Sequence, residues 1–244
     1  MKIVLIFLAL SITITSCNSQ MKKTVETPLN KNDVKIDSLI QLMTINEKAG
    51  QLNVLNYGED LINPAGEKVD IEKAIEEGLV GGVQNIRGVD FLTKLQKIAV
   101  EQSRLGIPLL FPADIIHGAK VVFPIPFAIA SSWDLESIEK ASKIAAIEAA
   151  AQGINLTYSP MVDLSRDPRW GRIMEGNGED HYLNALIAKA VVKGYQGNDL
   201  SSPATIGTCV KHLAAYGAAE AGRDYNVVDI SERRLREEYL PGYK

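Results

Sequence analysis

The chain has 244 residues, with 26 Lys plus Arg against 30 Asp plus Glu, a formal charge of −4, 46% hydrophobic residues and two cysteines. This balance is that of a folded protein and excludes a disordered chain, a collagen-like repeat and a disulfide framework. It also lacks the basic excess needed to neutralise phosphates, so no nucleic acid is expected as a partner.

Residues 1–17 have the form of an export signal. Lys2 precedes an apolar run over residues 3–10, and Ile14-Thr15-Ser16-Cys17 places small residues before a cysteine. That is the pattern of a lipoprotein cleavage site, which makes Cys17 the expected lipidation position. The apolar run is diluted by Ser11, Thr13, Thr15 and Ser16, and it falls short of the roughly 20 residues a membrane-spanning helix needs. The expected location is therefore the periplasm or cell surface of a Gram-negative-type bacterium, with a lipid anchor. Residues 18–33 are polar and contain Pro28, which suits a flexible tether.

From residue 34 the pattern is that of ordered elements. Val34, Ile36, Leu39, Ile40, Leu42 and Met43 recur at helical spacing, and Thr44-Ile45-Asn46-Glu47 is a capping box that starts a further helix. Short apolar runs at 79–86, 108–116, 155–164 and 205–214 read as strands. Helical stretches at 90–104, 134–152 and 180–195 separate them, the second with Ile138, Ala141, Ala145 and Ala149 on one face. Ser231 caps one more helix. Strands alternating with helices predict βαβ units and a parallel sheet, an α/β fold. At about 40 residues per unit, four units make about half of an eight-unit β/α barrel.

Polar residues interrupt the ends of three of these strands. Asp114 follows Phe111-Pro112-Ala113, Asp163 leads into Ser165-Arg166-Asp167-Pro168-Arg169-Trp170-Gly171-Arg172, and Lys211-His212 lies in the fourth strand. In a β/α barrel the C-terminal strand ends carry the site. Converging acceptors and cationic donors suit a hydroxyl-rich ligand such as a sugar. Neighbours on a strand point to opposite faces, so Lys211 and His212 reach the same ligand only if the strand bulges or ends early.

These same segments resemble the amino-terminal part of family 3 glycoside hydrolases, near the periplasmic β-glucosidase type. The matching text is Met43-Thr44 through Glu47-Lys48 to Gly50-Gln51-Leu52, residues 114–118 (DIIHG), residues 163–172 ending in PRWGR, Glu175 through Gly178-Glu179-Asp180, and Lys211-His212-Leu213-Ala214-Ala215-Tyr216-Gly217. The resemblance implies a (β/α)8 barrel of which residues 34–244 hold about the first half. It implies that Asp114 accepts hydrogen bonds from sugar hydroxyls while Arg172, Lys211 and His212 donate to them. Arg166 and Arg169 are expected to tie the loop through Asp163 or Asp167, with Trp170 packed beneath.

The implied activity is removal of terminal β-D-glucosyl residues from β-linked gluco-oligosaccharides or aryl glucosides with retention of configuration. The family's nucleophile is an Asp in a Ser-Asp motif, a dipeptide that does not occur here. The nucleophile and the acid/base are expected after Lys244, in the remaining half of the barrel and a second domain, which leaves this chain without catalytic carboxylates of its own. Neither a cofactor nor a metal is expected, since three scattered histidines have no ligand spacing. His117 reads as loop packing, His181 as having no special role, and Cys209 as a buried strand residue. The alternatives are a β-xylosidase, a β-N-acetylhexosaminidase or a non-catalytic sugar-binding lipoprotein. The hexosaminidase branch is disfavoured because residues 213–226 contain no histidine.

Overall fold

The structure, a computed structural model, describes residues 31–57 and 68–244. The expected signal, Cys17 and most of the expected tether lie outside these residues. Helix α1 (Lys31–Leu42) begins within the last three tether positions, and α2 (Ile45–Gln51) follows it. The capping box between them forms as its spacing predicts. Thr44 Oγ1 accepts from Glu47 N–H at 3.2 Å, and Glu47 Oε2 accepts from Thr44 N–H at 2.7 Å. Glu47 also receives Arg104 through Nε at 2.9 Å and Nη2 at 2.6 Å, while the same Nη2 donates to Leu42 O at 2.9 Å. One carboxylate thus closes a helix start and ties it to a segment 57 residues away.

The remaining elements in order are β1 (Val54–Asn56), α3 (Ile71–Glu76), β2 (Gly82–Gln84), α4 (Val89–Lys97) with a wider turn at Ile98–Gln102, and β3 (Pro112–Ala113). Then come α5 (Pro126–Ala130), α6 (Leu135–Ala150), β4 (Leu156–Thr157), α7 (His181–Gln196), β5 (Gly207–Thr208), and α8 (Glu232–Arg234), which runs into a second wide turn at Leu235–Tyr239. All the pairings among the described strands are parallel: Val54 faces Gly82, Pro112 faces Leu156, and Leu156 faces Gly207. A parallel bridge between Gly82 and Leu110 joins β2 to the segment entering β3. The spatial order therefore follows the chain order, with helices between strands, as in the opening part of a β/α barrel.

Strand β1 and helices α3 and α5 were not legible in the hydropathy pattern. They are short, and β1 is only partly buried. The four expected strands are present but shorter than their apolar runs. Pro112 brings no N–H to the ladder, and side chains replace backbone partners around it. Asn155 Oδ1 accepts from Phe111 N–H at 2.7 Å, and Thr157 Oγ1 accepts from Ile115 N–H at 3.1 Å. Single backbone bonds continue the pairing, among them Gly207 N–H to Asn155 O at 2.9 Å and Cys209 N–H to Thr157 O at 2.8 Å.

Two of the four apolar clusters among the described residues pack the helices against the strands. Ile75, Val83, Leu92, Leu95, Ile98 and Phe111 pack α3 and α4 against β2. Ala113, Ile115, Ala145, Ala149, Tyr195 and Ile206 pack α6 and α7 against β3 and β5. Of the face expected on α6, Ile138, Ala145 and Ala149 are buried and Ala141 is half-buried. Complete burial of a side chain such as Leu95 or Ile115 stabilises by about 2 kcal/mol. The small residues let α6 and α7 approach closely. A Cβ on Gly194 of α7 would lie 2.4 Å from Glu139 O and 2.5 Å from Ser142 Cβ.

Candidate functional site

Parallel strands present all their C-terminal ends on one side, and the polar residues following β3, β4 and β5 meet there. Lys211 Nζ donates to Asp114 Oδ1 at 2.8 Å. Asp163 is fully buried and accepts twice on Oδ2, from His212 N–H at 3.0 Å and from His212 Nδ1 at 2.7 Å. Arg172 Nη1 lies 3.4 Å from His212 Nε2. On its other edge Arg172 forms a two-point pair with Glu175, Nε to Oε1 at 2.6 Å and Nη2 to Oε2 at 2.7 Å. The structure thus brings Asp114, Arg172, Lys211 and His212 to one end of the sheet.

Lys211 and His212 reach the same side because the regular ladder of β5 stops at Thr208. Lys211 is then held by a single bridge to Met161, with Lys211 N–H donating to Pro160 O at 3.0 Å. The Lys211–His212 peptide is cis. The early strand end is one of the two conditions under which both side chains could serve one ligand.

An aromatic layer supports the loop. Trp170 is 1% exposed and donates from Nε1 to Asp224 Oδ1 at 2.9 Å. The Tyr216 ring meets both Trp170 and His212 edge-on, at centroid distances of 5.3 and 5.0 Å, and the Arg172 guanidinium lies 5.6 Å from its centroid. Gly217 is required by close approach, since a Cβ there would sit 2.4 Å from Leu164 O. Tyr216 O–H also donates to Asp224, and Tyr243 O–H donates to His212 O.

Charge pairing shapes the protonation states. The Arg172 pair holds the Glu175 carboxyl below its usual range, with a smaller contribution from Lys211. Glu175 in turn raises the Arg172 guanidinium. Desolvation, followed by the Asp224 contact, pushes the Tyr216 phenol up to about 12. Every one of these shifts favours the charge state already present at neutral pH.

Two expectations about the neighbourhood are corrected. Arg169 ties the loop to Asp167 as expected, with Nε to Oδ1 at 3.0 Å and Nη2 to Oδ2 at 2.7 Å. Arg166 instead pairs with Glu238 and lies 5.6 Å from the Tyr239 ring centroid, because Asp163 is engaged by His212 and Asp167 by Arg169. Cys209 is exposed rather than buried, since it lies just past the end of β5, which pairs only with β4 among the described strands. His117 makes a loop contact from Nδ1 to Phe123 O at 3.1 Å, and His181 opens α7 behind its N-cap Asp180.

The pattern of residues missed three contributors: Asp163 as the partner of His212, Glu175 as the partner of Arg172, and the Tyr216–Asp224 pair. Only the second had a local signal, the three-residue spacing of Arg172 and Glu175 across a helical turn. Among the described residues no group of three or more His, Cys, Asp or Glu could hold a metal ion.

Residues 44–244 match the family model for the glycosyl hydrolase family 3 N terminal domain. The chain is 43% identical over 212 residues to a periplasmic beta-glucosidase of Salmonella typhimurium, a match covering 87% of this chain and 27% of that protein. It is 30% identical to a putative beta-xylosidase of Formosa agariphila, over 86% of this chain and 30% of that one. Among solved structures, a D270A beta-glucosidase from Listeria innocua in complex with laminaribiose superposes with a TM-score of 0.76 at 40% identity, covering 88% of this chain and 31% of that one. The chain therefore spans less than a third of the length of these relatives. By its family match and its shared fold, it belongs to glycoside hydrolase family 3.

Proposed function

We propose that this chain supplies the sugar-recognising part of a β-glucosidase that removes terminal β-D-glucosyl residues with retention. The observation that carries the reading is the meeting of Asp114, Lys211, His212 and Arg172 at the C-terminal end of the parallel strands. Asp114 is half-exposed and keeps lone pairs for ring hydroxyls, while Lys211 and Arg172 keep donor hydrogens beyond those their partners take. Hydrogen bonds of this kind tighten as the ring distorts and positive charge develops, which lowers the barrier rather than only binding substrate.

A retaining mechanism also needs two carboxyl groups about 5 to 5.5 Å apart, one as nucleophile and one as acid/base. The reading assigns both to sequence other than residues 1–244. Isothermal titration of the chain with glucose, xylose and N-acetylglucosamine tests the assignment. Glucose is expected to bind best, with binding lost in Asp114→Ala. Equal or tighter binding of xylose would favour the β-xylosidase reading, which the likeness to the Formosa protein supports. Catalysis is tested by hydrolysis of an aryl β-glucoside, and turnover above background by residues 1–244 alone would refute the placement of the carboxylates.

The same reading places the protein on the periplasmic side or cell surface, anchored through an acylated Cys17 and tethered by residues 18–33. The name of the Salmonella relative supports the compartment, and the sequence around Cys17 supports the anchor. Radiolabelled palmitate is expected to mark the wild-type chain and not Cys17→Ser. Equal labelling of both would remove the anchor.

A further inference from the structure

The contacts of His212 define which of its nitrogens carries the proton. Arg172 has only donors, so its 3.4 Å approach to Nε2 is a hydrogen bond only when Nε2 bears a lone pair. Asp163 is an acceptor, and its 2.7 Å contact with Nδ1 requires Nδ1–H. Both ends of the ring demand the same tautomer. Glu175 completes the row by gripping the far edge of Arg172 at two points, so Asp163, His212, Arg172 and Glu175 form one line of alternating acceptors and donors.

Resting on the sugar-binding reading above, we propose that Asp163 and Glu175 are positioning residues that keep the Nδ1 proton of His212 toward Asp163 and its Nε2 lone pair toward Arg172, and so make the His212–Arg172 pair a reader of one sugar hydroxyl. The resemblance assigns His212 a donor role; this geometry makes Nε2 an acceptor. A hydroxyl both donates and accepts, so a single hydroxyl that takes the place of the direct Nη1–Nε2 contact donates to Nε2 and accepts from Nη1. A fluorine in that position accepts from Arg172 but offers Nε2 nothing. Lys211 and Asp114, already paired, face the sugar separately from this row.

The test uses the 244-residue chain and nitrogen NMR of its three imidazoles, with His117→Gln and His181→Gln for assignment. Wild type is expected to show a pyrrole-type Nδ1 and a hydrogen-bonded pyridine-type Nε2 for His212. Glu175→Gln is expected to shift the Nε2 resonance toward an unbonded nitrogen and to sharpen exchange of the Arg172 Nε–H. Glu175→Asp restores part of both signals. Asp163→Asn keeps an acceptor oxygen and is expected to retain the tautomer with a weaker Nδ1–H bond. An Nε2–H tautomer in wild type, or His212 resonances unmoved in Glu175→Gln, would overturn the proposal.

Binding is read separately with glucose and its monodeoxyfluoro analogues. One ring position is expected to lose about tenfold in affinity on fluorination in wild type, and that penalty is expected to vanish in Glu175→Gln. A penalty that persists unchanged in Glu175→Gln would count against the proposal. If glucose binds no variant, the sugar reading fails, while the imidazole signals still decide whether Asp163 and Glu175 set the tautomer.

Discussion

Lys211 Nζ lies 2.8 Å from Asp114 Oδ1 although the two residues stand 97 positions apart. The ammonium side chain is only 11% exposed, whereas the carboxylate is 53% exposed. The lysine is therefore the desolvated partner, and Asp114 both neutralises it and turns a free oxygen toward solvent. Removing the carboxylate strands a nearly buried cation, a larger loss than removing one hydrogen bond.

It follows that Asp114→Asn and Asp114→Ala should differ. Asn keeps an acceptor for Lys211 and for a sugar hydroxyl but loses the charge, with glucose affinity expected to fall about 10- to 100-fold. Ala is expected to abolish detectable binding and also to lower the melting temperature. Titration calorimetry and thermal unfolding of the two variants measure this split.

The Glu47 carboxyl is held at about 2, first by the Arg104 pair and then by the Thr44 backbone N–H. A carboxyl with a depressed folded-state pKa contributes stability above its unfolded value and loses it as pH falls toward the folded value. The melting temperature of wild type should exceed that of Glu47→Gln at neutral pH. The gap should narrow from about pH 4.5 downward and close near pH 2. Parallel melting curves across that range isolate this carboxyl from the others that titrate with it.

Gly194 sits where α7 crosses α6, with Glu139 O only 2.4 Å from a hypothetical Cβ. In an open helix Gly→Ala would gain up to about 1 kcal/mol. Here the methyl meets backbone, so Gly194→Ala is expected to destabilise by about 1–3 kcal/mol. Urea unfolding gives the value and its sign.

Trp170 is 1% exposed and Trp133 is 73% exposed, and they are the two tryptophans of the chain. Trp133→Phe should leave a blue-shifted emission poorly quenched by acrylamide and change stability by less than about 0.5 kcal/mol. Trp170→Phe removes the donor to Asp224 and is expected to cost about 1–3 kcal/mol. The same change loosens the layer beneath Tyr216 and so is expected to weaken glucose binding as well.

Local information in the chain was sufficient for much of the fold. The alternation of apolar runs and helical stretches predicts the parallel α/β arrangement, and Thr44 with Glu47 predicts a capping box that forms. The spacing of Ile138, Ala141, Ala145 and Ala149 predicts the inner face of α6, on which all but the half-buried Ala141 are buried. Asp114, Asp163, Lys211 and His212 stand out because polar residues end apolar strands, and in a parallel sheet those ends share one side. What the sequence by itself determined is therefore the layer order and the polar residues at the strand ends, both properties of short segments and their periodicity.

Tertiary structure alone decided the pairings. That Arg166 goes to Glu238, that Asp163 takes His212 rather than an arginine, and that Cys209 is exposed all depend on contacts between residues far apart in the chain. Side-chain charges carry no address: a buried carboxylate such as Asp163 pairs with whichever donor the converging strand ends bring within hydrogen-bond reach. The tautomer of His212 is set in the same way, by an acceptor 49 positions away and a donor 40 positions away, and no local pattern of residues could specify it.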